Sequence, residues 1–217
     1  MYKLVIFDLD GTLLNTIEDI TDSLNLALTD YSLPLVTIEE CKYMVGQGVD
    51  VLVSKAVKDE KYQNGVKEKY LTYYALYQNN KTRPYPEIIE VIKKIKKMDI
   101  KIAVFSNKPH LDTIAVINYY FGNNLFDYVL GHKINNLPKP AYDGANEIIT
   151  FFNNQKTITN EEVLFVGDTS IDMQTAKRAN FSSVAVTWGF RKAHEIIPHD
   201  YLIHKPKELI SIIRNKI

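Results

Sequence analysis

The sequence predicts an α/β protein with a doubly wound parallel sheet and a small helical domain inserted after the first strand. Three observations predict this fold. Short, continuous apolar runs recur along the chain, which is typical of strands buried on both faces of a parallel sheet. Segments of helical periodicity separate these runs, so strand and helix alternate. Residues 15–81 interrupt that alternation with helices alone.

The apolar runs define the predicted strands. The clearest is Leu4–Phe7, in which all four residues are apolar. Six strands are predicted, at residues 4–7, 100–105, 128–130, 163–166, 184–186 and 201–203. Parallel order and right-handed crossovers are the default for strands that alternate with helices.

Amphipathic segments fill the intervals between these strands. In residues 87–98, Ile88, Val91, Ile92 and Ile95 form one stripe and lysines form the opposite face. The other helices of the core are predicted at residues 111–121, 142–152, 171–179 and 207–213.

The inserted segment, residues 15–81, is called the cap from here on. Four helices are predicted in it, at residues 17–31, 38–45, 49–56 and 64–78, with Pro34, Gly46 and Gly48 between them. The prolines of residues 83–86 stiffen the return to the core. The core is therefore predicted to comprise residues 1–14 and 82–217.

Composition narrows the function classes. The chain has 26 Lys and Arg residues against 26 Asp and Glu, so its formal net charge is zero. Without an overall field to hold DNA or an anionic membrane, neither partner is expected. The single cysteine, Cys41, cannot form an internal disulfide, and no apolar run reaches the ~18–20 residues that span a bilayer. The start of the chain lacks a signal-peptide pattern, so a cytoplasmic globular protein is expected.

The strongest chemical signal is a pair of acids at the end of the first strand. Asp8 and Asp10 flank one apolar residue and are followed by Gly11 and Thr12. Positions i and i+2 of a strand share a face, so the two carboxylates repel unless a cation or a shared proton intervenes. One acid here could simply cap a turn, but two are explained less well that way. The carboxyl ends of strands border the ligand crevice of an open α/β sheet, which favours a functional site.

Polar residues also mark the end of the strand at residues 100–105. Ser106 and Asn107 follow it, and a hydroxyl with exposed N–H groups suits a phosphate, although such pairs are common in turns. Further along, Lys139 stands between Pro138 and Pro140. A loop stiffened by two prolines would hold the positive charge of this lysine in a fixed position. The alternative interpretation is that Lys139 is an ordinary solvated lysine.

Two more acids follow the strand at residues 163–166. Gly167 permits close backbone approach, and Asp168 and Asp172 come after it. The alternative for Asp168 is a helix N-cap, and for Asp172 a favourable place in the first helical turn. The four aspartates and Lys139 sum to a charge of −3, which favours a hard divalent cation such as Mg²⁺. A phosphate could bridge that cation, the lysine and the serine loop, and a carboxylate nucleophile would form an aspartyl phosphate.

Together these residues resemble the four motifs of the haloacid dehalogenase superfamily, in their usual order. The residues that carry the resemblance are Asp8-Leu9-Asp10-Gly11-Thr12, Ser106-Asn107, Lys139, Gly167-Asp168 and Asp172. Further segments look most like the phosphoglycolate phosphatase branch, at residues 45–49, 83–86, 106–109, 166–169 and 186–190. The resemblance covers essentially the whole chain and implies a Rossmann-like core with an inserted helical cap.

The resemblance implies a role for each of these residues. Asp8 would be the nucleophile and a Mg²⁺ ligand, and Asp10 the general acid and base, with its backbone carbonyl on the metal. Asp168 would bind Mg²⁺ directly, and Asp172 would act through a water molecule or from behind the ligands. Lys139 would neutralise Asp8 and the transferred group. The residues implied to hold the phosphate are Thr12, Ser106, Asn107 and Lys139.

The predicted function is Mg²⁺-dependent hydrolysis of a small phosphorylated metabolite, with phosphoglycolate the first candidate by resemblance. An acid at Asp10 argues for phosphoryl chemistry, because dehalogenases of the superfamily lack it. A phosphosugar mutase is an alternative, although Thr12 favours hydrolysis. A receiver module or an inactive binding protein is a further alternative, but receivers are shorter and have no insert like the cap. A monomer or weak homodimer is expected.

Two further structural predictions concern residues away from the acids. Tyr70, Tyr73, Tyr74 and Tyr77 lie at helical spacing and are expected to form a packed helix face. Asn180 stands after a predicted helix, where its tolerance of left-handed backbone suits a helix C-terminus.

Overall fold

The computed structural model describes residues 1–134, 136–154 and 157–215. In chain order the strands are β1 (Leu4–Phe7), β2 (Leu14–Asn15), β3 (Arg83–Pro84), β4 (Lys101–Pro109), β5 (Tyr128–His132), β6 (Val163–Gly167), β7 (Ser182–Val186) and β8 (Tyr201–Ile203). The helices are α1 (Ile17–Asp30), α2 (Ile38–Met44), α3 (Val49–Ala56), α4 (Glu60–Tyr77), α5 (Ile88–Lys96), α6 (His110–Phe121), α7 (Asp143–Asn153), α8 (Ser170–Arg178) and α9 (Glu208–Asn215).

The main sheet has the strand order β5–β4–β1–β6–β7–β8, and each neighbouring pair is parallel. The α/β doubly wound prediction and all six strands are therefore confirmed. The side chains of successive residues in β1 point to opposite faces of the sheet, as in any strand. Val5 and Phe7 pack into one hydrophobic cluster with α5 and α9, whereas Leu4 and Ile6 pack into another with α7. Helices thus cover both faces, which is why the strand shows no polar alternation.

Most boundaries lie within two residues of the prediction, and two differ by four residues. Strand β4 continues to Pro109, with a register irregularity between Phe105 and Pro109 against β5, so Ser106 and Asn107 lie within an extended strand. Helix α4 begins at Glu60 rather than at residue 64, because Asp59 caps its first turn by accepting a hydrogen bond from the Lys61 N–H. That first turn is mostly polar, so apolar periodicity did not indicate it.

The predicted cap contains α1 to α4, and its four predicted helices are confirmed. The buried apolar face of α1 packs against α4, and the shared cluster includes Ile20, Leu24, Val66, Tyr70 and Tyr74. Tyr70 and Tyr74 of the tyrosine stripe are thus buried, and Tyr73 packs against the cluster while partly exposed. Tyr77 is 40% exposed, so the stripe does not form one continuous packed face.

The chain leaves and re-enters the core through a short antiparallel pair that the sequence did not predict. Leu14 pairs with Pro84, and Asn15 pairs with Arg83. The buried carboxylate of Asp19 accepts hydrogen bonds from the N–H groups of Lys81 and Thr82 at 2.8–3.0 Å. Both connections therefore lie side by side. Among the described residues, no helix has the length and apolar character needed to cross a bilayer.

Candidate active site

The acid motifs converge because β4, β1 and β6 are neighbours in the sheet. Asp8 directly follows β1, and its N–H donates to the Val166 carbonyl of β6 at 2.9 Å. Asp168 directly follows β6, and Ser106 lies in the last part of β4. In a parallel sheet these strand ends share one edge, so the three motifs lie close together.

Lys139 links two of the acids from the loop between β5 and α7. Its ammonium nitrogen donates to Asp8 Oδ1 at 2.7 Å, to Asp172 Oδ1 at 2.7 Å and to the Phe105 carbonyl at 2.9 Å. A lysine has three N–H donors, and all three are satisfied here. The side chain is 2% exposed, so the alternative of an ordinary solvated lysine is wrong.

Asp8, Asp168 and Asp172 form a buried cluster in which one carboxylate oxygen from each lies within 4.8 Å of the others. The N-cap of α8 is Thr169, so the alternative that Asp168 caps this helix is wrong. Asp172 does lie in the first turn, where it accepts from the Thr169 N–H and hydroxyl at 3.1 and 2.7 Å. It therefore supports the helix and the acid cluster at once.

Close backbone approach explains two glycines of the motifs. Gly11 has a φ of +89°, and a Cβ there would collide with the Asp168 carboxylate. A Cβ on Gly167 would collide with the Asp172 side chain. A larger residue at either position would displace an acid of the cluster.

Burial dominates the electrostatics of the cluster. Desolvation raises the pKa of Asp8 well above its usual value, although the Lys139 ammonium lowers it. Desolvation and the Asp172 charge raise the pKa of Asp168 to about 7. Burial disfavours the Lys139 ammonium, but Asp172 and Asp8 outweigh that effect and raise its pKa. Oxygen-only ligands with excess negative charge are the donor set of a hard divalent cation, so the cluster could bind a metal.

Asp10 lies beside the cluster and faces the pocket above it. Its Oδ1 is buried and has no hydrogen-bond donor in favourable geometry among the described residues. The Lys108 ammonium lies 3.2 Å from it as an ion pair. This oxygen therefore lies at the pocket without a hydrogen-bond donor of its own.

Lys108 is the residue that sequence reasoning missed. It is 8% exposed, and its ammonium donates to the Tyr74 hydroxyl at 2.8 Å. Its position two residues after Ser106 was the only indication in the sequence. Its partners, Asp10 in the turn before β2 and Tyr74 in α4, are distant along the chain. With Lys108 included, the four motif aspartates and two lysines sum to −2, which one divalent cation balances.

The predicted phosphate-binding residues are all buried at this site, with distinct contacts. Ser106 Oγ accepts from the Lys108 N–H at 3.2 Å. The Asn107 amide group accepts from the Lys139 N–H at 2.7 Å and donates to the Lys139 carbonyl at 3.0 Å, so it braces the lysine loop. Thr12 donates its N–H to the Leu9 carbonyl and its hydroxyl to Asp168. These contacts favour positioning roles for the Asn107 and Thr12 side chains.

The cap closes over the acids. Asn107 Nδ2 donates to the Gly46 carbonyl at 2.9 Å, and Arg191 donates to the carbonyls of Lys42 and Val45 near the end of α2. The pocket between the cap and the acids has a volume of about 50 Å³ and is partly open to solvent. Cap residues that line it include Ile20, Val45, Val49, Leu52, Tyr70 and Tyr74.

A Rossmann-like sheet with buried aspartates at its carboxyl edge and a helical cap defines a class of hydrolases. Residues 5–186 match the family model of the haloacid dehalogenase-like hydrolases. The chain belongs to this family, and it is an enzyme of the phosphatase class, as the sequence predicted.

Named relatives agree over nearly the full chain. Phosphoglycolate phosphatase of Aquifex aeolicus is 28% identical, covering 99% of this chain and 98% of that protein. Phosphoglycolate phosphatase of Mannheimia succiniciproducens is 30% identical, covering 98% of each. A crystal structure from Lactobacillus delbrueckii subsp. bulgaricus, provisionally assigned as a phosphoglycolate phosphatase, superposes with a TM-score of 0.91, at 28% identity over 98% of both chains.

Proposed function

We propose that this enzyme hydrolyses a small phosphate monoester through an aspartyl phosphate on Asp8, with the help of Mg²⁺. One observation carries the proposal. The buried Asp8 carboxylate is held by the Lys139 ammonium at 2.7 Å inside a cluster of three acids at the floor of the pocket under the cap. A carboxylate fixed in this way is positioned to attack phosphorus, and the lysine offsets the charge that develops.

The donor set at this floor fits Mg²⁺. Asp8 and Asp168 would hold the ion together with the Asp10 backbone carbonyl, and Asp172 would act through a water molecule. The fit rests on two buried acids with raised pKa values, since adjacent carboxylates favour a cation that relieves their repulsion. When bound, the ion supplies charge neutralisation to the phosphoryl oxygens and to the nucleophile.

The first step uses Asp8 and Asp10. An Asp8 carboxylate oxygen attacks phosphorus, an oxygen–phosphorus bond forms, and the bond from phosphorus to the ester oxygen breaks. The electron pair of that bond stays on the leaving oxygen, and Asp10 gives it a proton, which releases the alcohol. Ser106 lies at the same edge of the sheet, where its hydroxyl is placed to bind a phosphoryl oxygen.

The second step returns the enzyme to its starting state. Asp10, now ionised, takes a proton from a water molecule as the water oxygen attacks phosphorus. The bond between phosphorus and Asp8 breaks, and inorganic phosphate leaves. Lys139 keeps its hydrogen bonds to Asp8 and Asp172 throughout, so the acids are not left as uncompensated buried charges.

Phosphoglycolate is the first candidate substrate. The named relatives support it. The test is phosphate release from a panel of monoesters, each assayed with Mg²⁺ and with EDTA. We expect phosphate release that requires Mg²⁺, with the highest kcat/KM for phosphoglycolate. No release from any ester would overturn the hydrolase, and interconversion of sugar phosphates without release would indicate the mutase.

Metal binding is expected to depend on pH. Because the folded-state pKa of Asp168 is about 7, above the unfolded value near 3.9, the metal-free protein loses stability as pH rises through this window. Mg²⁺ must displace that proton at lower pH. The rise in melting temperature with Mg²⁺ should be smaller by about 3–5 °C at pH 6 than at pH 8.

Thermal melts in EDTA and in Mg²⁺ at both pH values measure this difference. The Asp168→Asn variant is the control and should lose most of the Mg²⁺ increment. An equal increment at pH 6 and pH 8 would contradict a proton–metal competition at this site.

Cap closure is expected to depend on Arg191. Its guanidinium donates to two carbonyls of the cap, so Arg191→Ala removes charged hydrogen bonds that hold the closed form. We expect KM for the best substrate to rise about five- to twentyfold, with a smaller change in kcat. Arg191→Lys keeps the charge but loses the planar guanidinium that donates to two carbonyls at once. Arg214→Ala, at an exposed arginine, is the matched control. An unchanged KM in Arg191→Ala would show that these contacts do not govern closure.

A further inference from the structure

Lys108 is a buried cation of the pocket that the proposed steps do not use. Its ammonium lies 2.8 Å from the Tyr74 hydroxyl, 3.2 Å from Asp10 Oδ1 and 4.3 Å from the centre of the Tyr74 ring. Strand β4 supplies the lysine and α4 of the cap supplies the tyrosine. The pair therefore joins the floor of the pocket to its lid.

The contacts of this ammonium leave it able to bind another group. Among the described residues it makes one hydrogen bond, to Tyr74, and one ion pair, to Asp10. An ammonium has three donors and no acceptor, so donor capacity remains for a further oxygen. Asp10 already pairs with its charge, and the remaining donors would bind a charged oxygen acceptor more strongly than a neutral one.

The place of Lys108 identifies which part of a substrate it would meet. Asp10 protonates the leaving oxygen in the proposed mechanism, and Lys108 touches Asp10. In the proposed mechanism the Lys108 ammonium would therefore lie beside the leaving alcohol. Cap residues Ile20, Val45 and Leu52 line the pocket with apolar surface and cannot pair with an anion. Asp112 lines the pocket as well, and burial raises its pKa.

We infer that Lys108 and Tyr74 select phosphate monoesters whose alcohol part carries a carboxylate. The inference rests on the proposed function and names its substrate class. The carboxylate accepts a hydrogen bond from the Lys108 ammonium, and the Tyr74 hydroxyl completes the site only when the cap is closed. An anionic substrate therefore stabilises the closed form, whereas a neutral alcohol of the same size does not.

The test compares phosphoglycolate with 2-hydroxyethyl phosphate, in which a hydroxymethyl group replaces the carboxylate. The quantity measured is the ratio of kcat/KM for the two esters. In Lys108→Met we expect this ratio to fall about ten- to a hundredfold, the worth of a charged hydrogen bond. In Tyr74→Phe we expect a smaller fall, and exposed Lys94→Met is the control.

Comparing two esters separates selection from a merely structural role. If Lys108 only tuned Asp10, both esters would lose rate together and the ratio would stay constant, which would overturn the inference. Faster turnover of 2-hydroxyethyl phosphate than of phosphoglycolate by the wild type would also overturn it, while leaving the proposed hydrolase intact.

If no ester is turned over, ligand binding to inactive variants tests the inference instead. Calorimetry would compare phosphoglycolate binding to Asp8→Asn and to Asp8→Asn/Lys108→Met, with 2-hydroxyethyl phosphate as the second ligand. Loss of the preference for phosphoglycolate in the double variant would support the inference. An equal preference in both proteins would overturn it. Absent turnover by the wild type would count against the proposed function alone.

Discussion

Replacing Asp8 with asparagine is expected to lower phosphatase activity by at least about 10⁴-fold, because the amide cannot act as the nucleophile. The substitution keeps the shape of the side chain. Desolvation already disfavours an ionised group at this position, so the neutral amide should fold normally. Steady-state phosphate release measures the loss, and thermal melting checks the fold.

The matched control is Asp50→Asn, an exposed acid of α3 paired with Lys67. It should keep the activity of the wild type. Residual activity in Asp8→Asn above about 1% of the wild type would point to a different nucleophile, since removal of the attacking group normally costs several orders of magnitude.

Replacing Lys139 with methionine is expected to destabilise the protein by about 3–5 kcal/mol at pH 8 without metal, because it leaves buried carboxylates without their partner. The lysine donates to Asp8 and Asp172 and is 2% exposed. Activity should fall with stability, since the nucleophile loses its hydrogen bond. The destabilisation should be smaller at pH 5.5, where Asp8, whose pKa burial already raises, can take up a proton instead. Urea unfolding in EDTA at both pH values measures it.

A second substitution tests the reason for this loss. In Lys139→Met/Asp172→Asn one of the stranded charges is gone, so part of the stability should return while activity stays low. Strictly additive losses in the double variant would show that the lysine contributes through packing alone.

Much of the fold could be predicted because the strands are read from apolarity alone. A strand buried on both faces is expected to be apolar, and β1, β6 and the last three residues of β7 fulfil that condition. Their order in the sheet then brings Asp8 and Asp168 to one edge. The left-handed backbone of Asn180, with a φ of 55°, was likewise predictable from its place after a helix.

Other features depend on partners far away in the chain. Lys108 pairs with Tyr74 of the cap, and Arg191 reaches the carbonyls of α2. No local sequence pattern predicts such contacts, because they form only when the cap packs against the core. The motif predicts Thr12 as a phosphate-binding residue, and the contact of its hydroxyl with Asp168 at 3.3 Å is visible only in the folded chain. The β2–β3 pair was missed since two-residue strands have no periodicity to detect.

The most direct test of the account is to trap the covalent intermediate. The enzyme would be mixed with radiolabelled phosphoglycolate and Mg²⁺, quenched in acid within a single turnover, and digested for peptide mapping by mass spectrometry. We predict a phosphoryl group on Asp8 that appears and decays as fast as turnover, and that is absent from Asp8→Asn. Turnover with no label on the protein, or with label on another residue, would contradict the central role of Asp8.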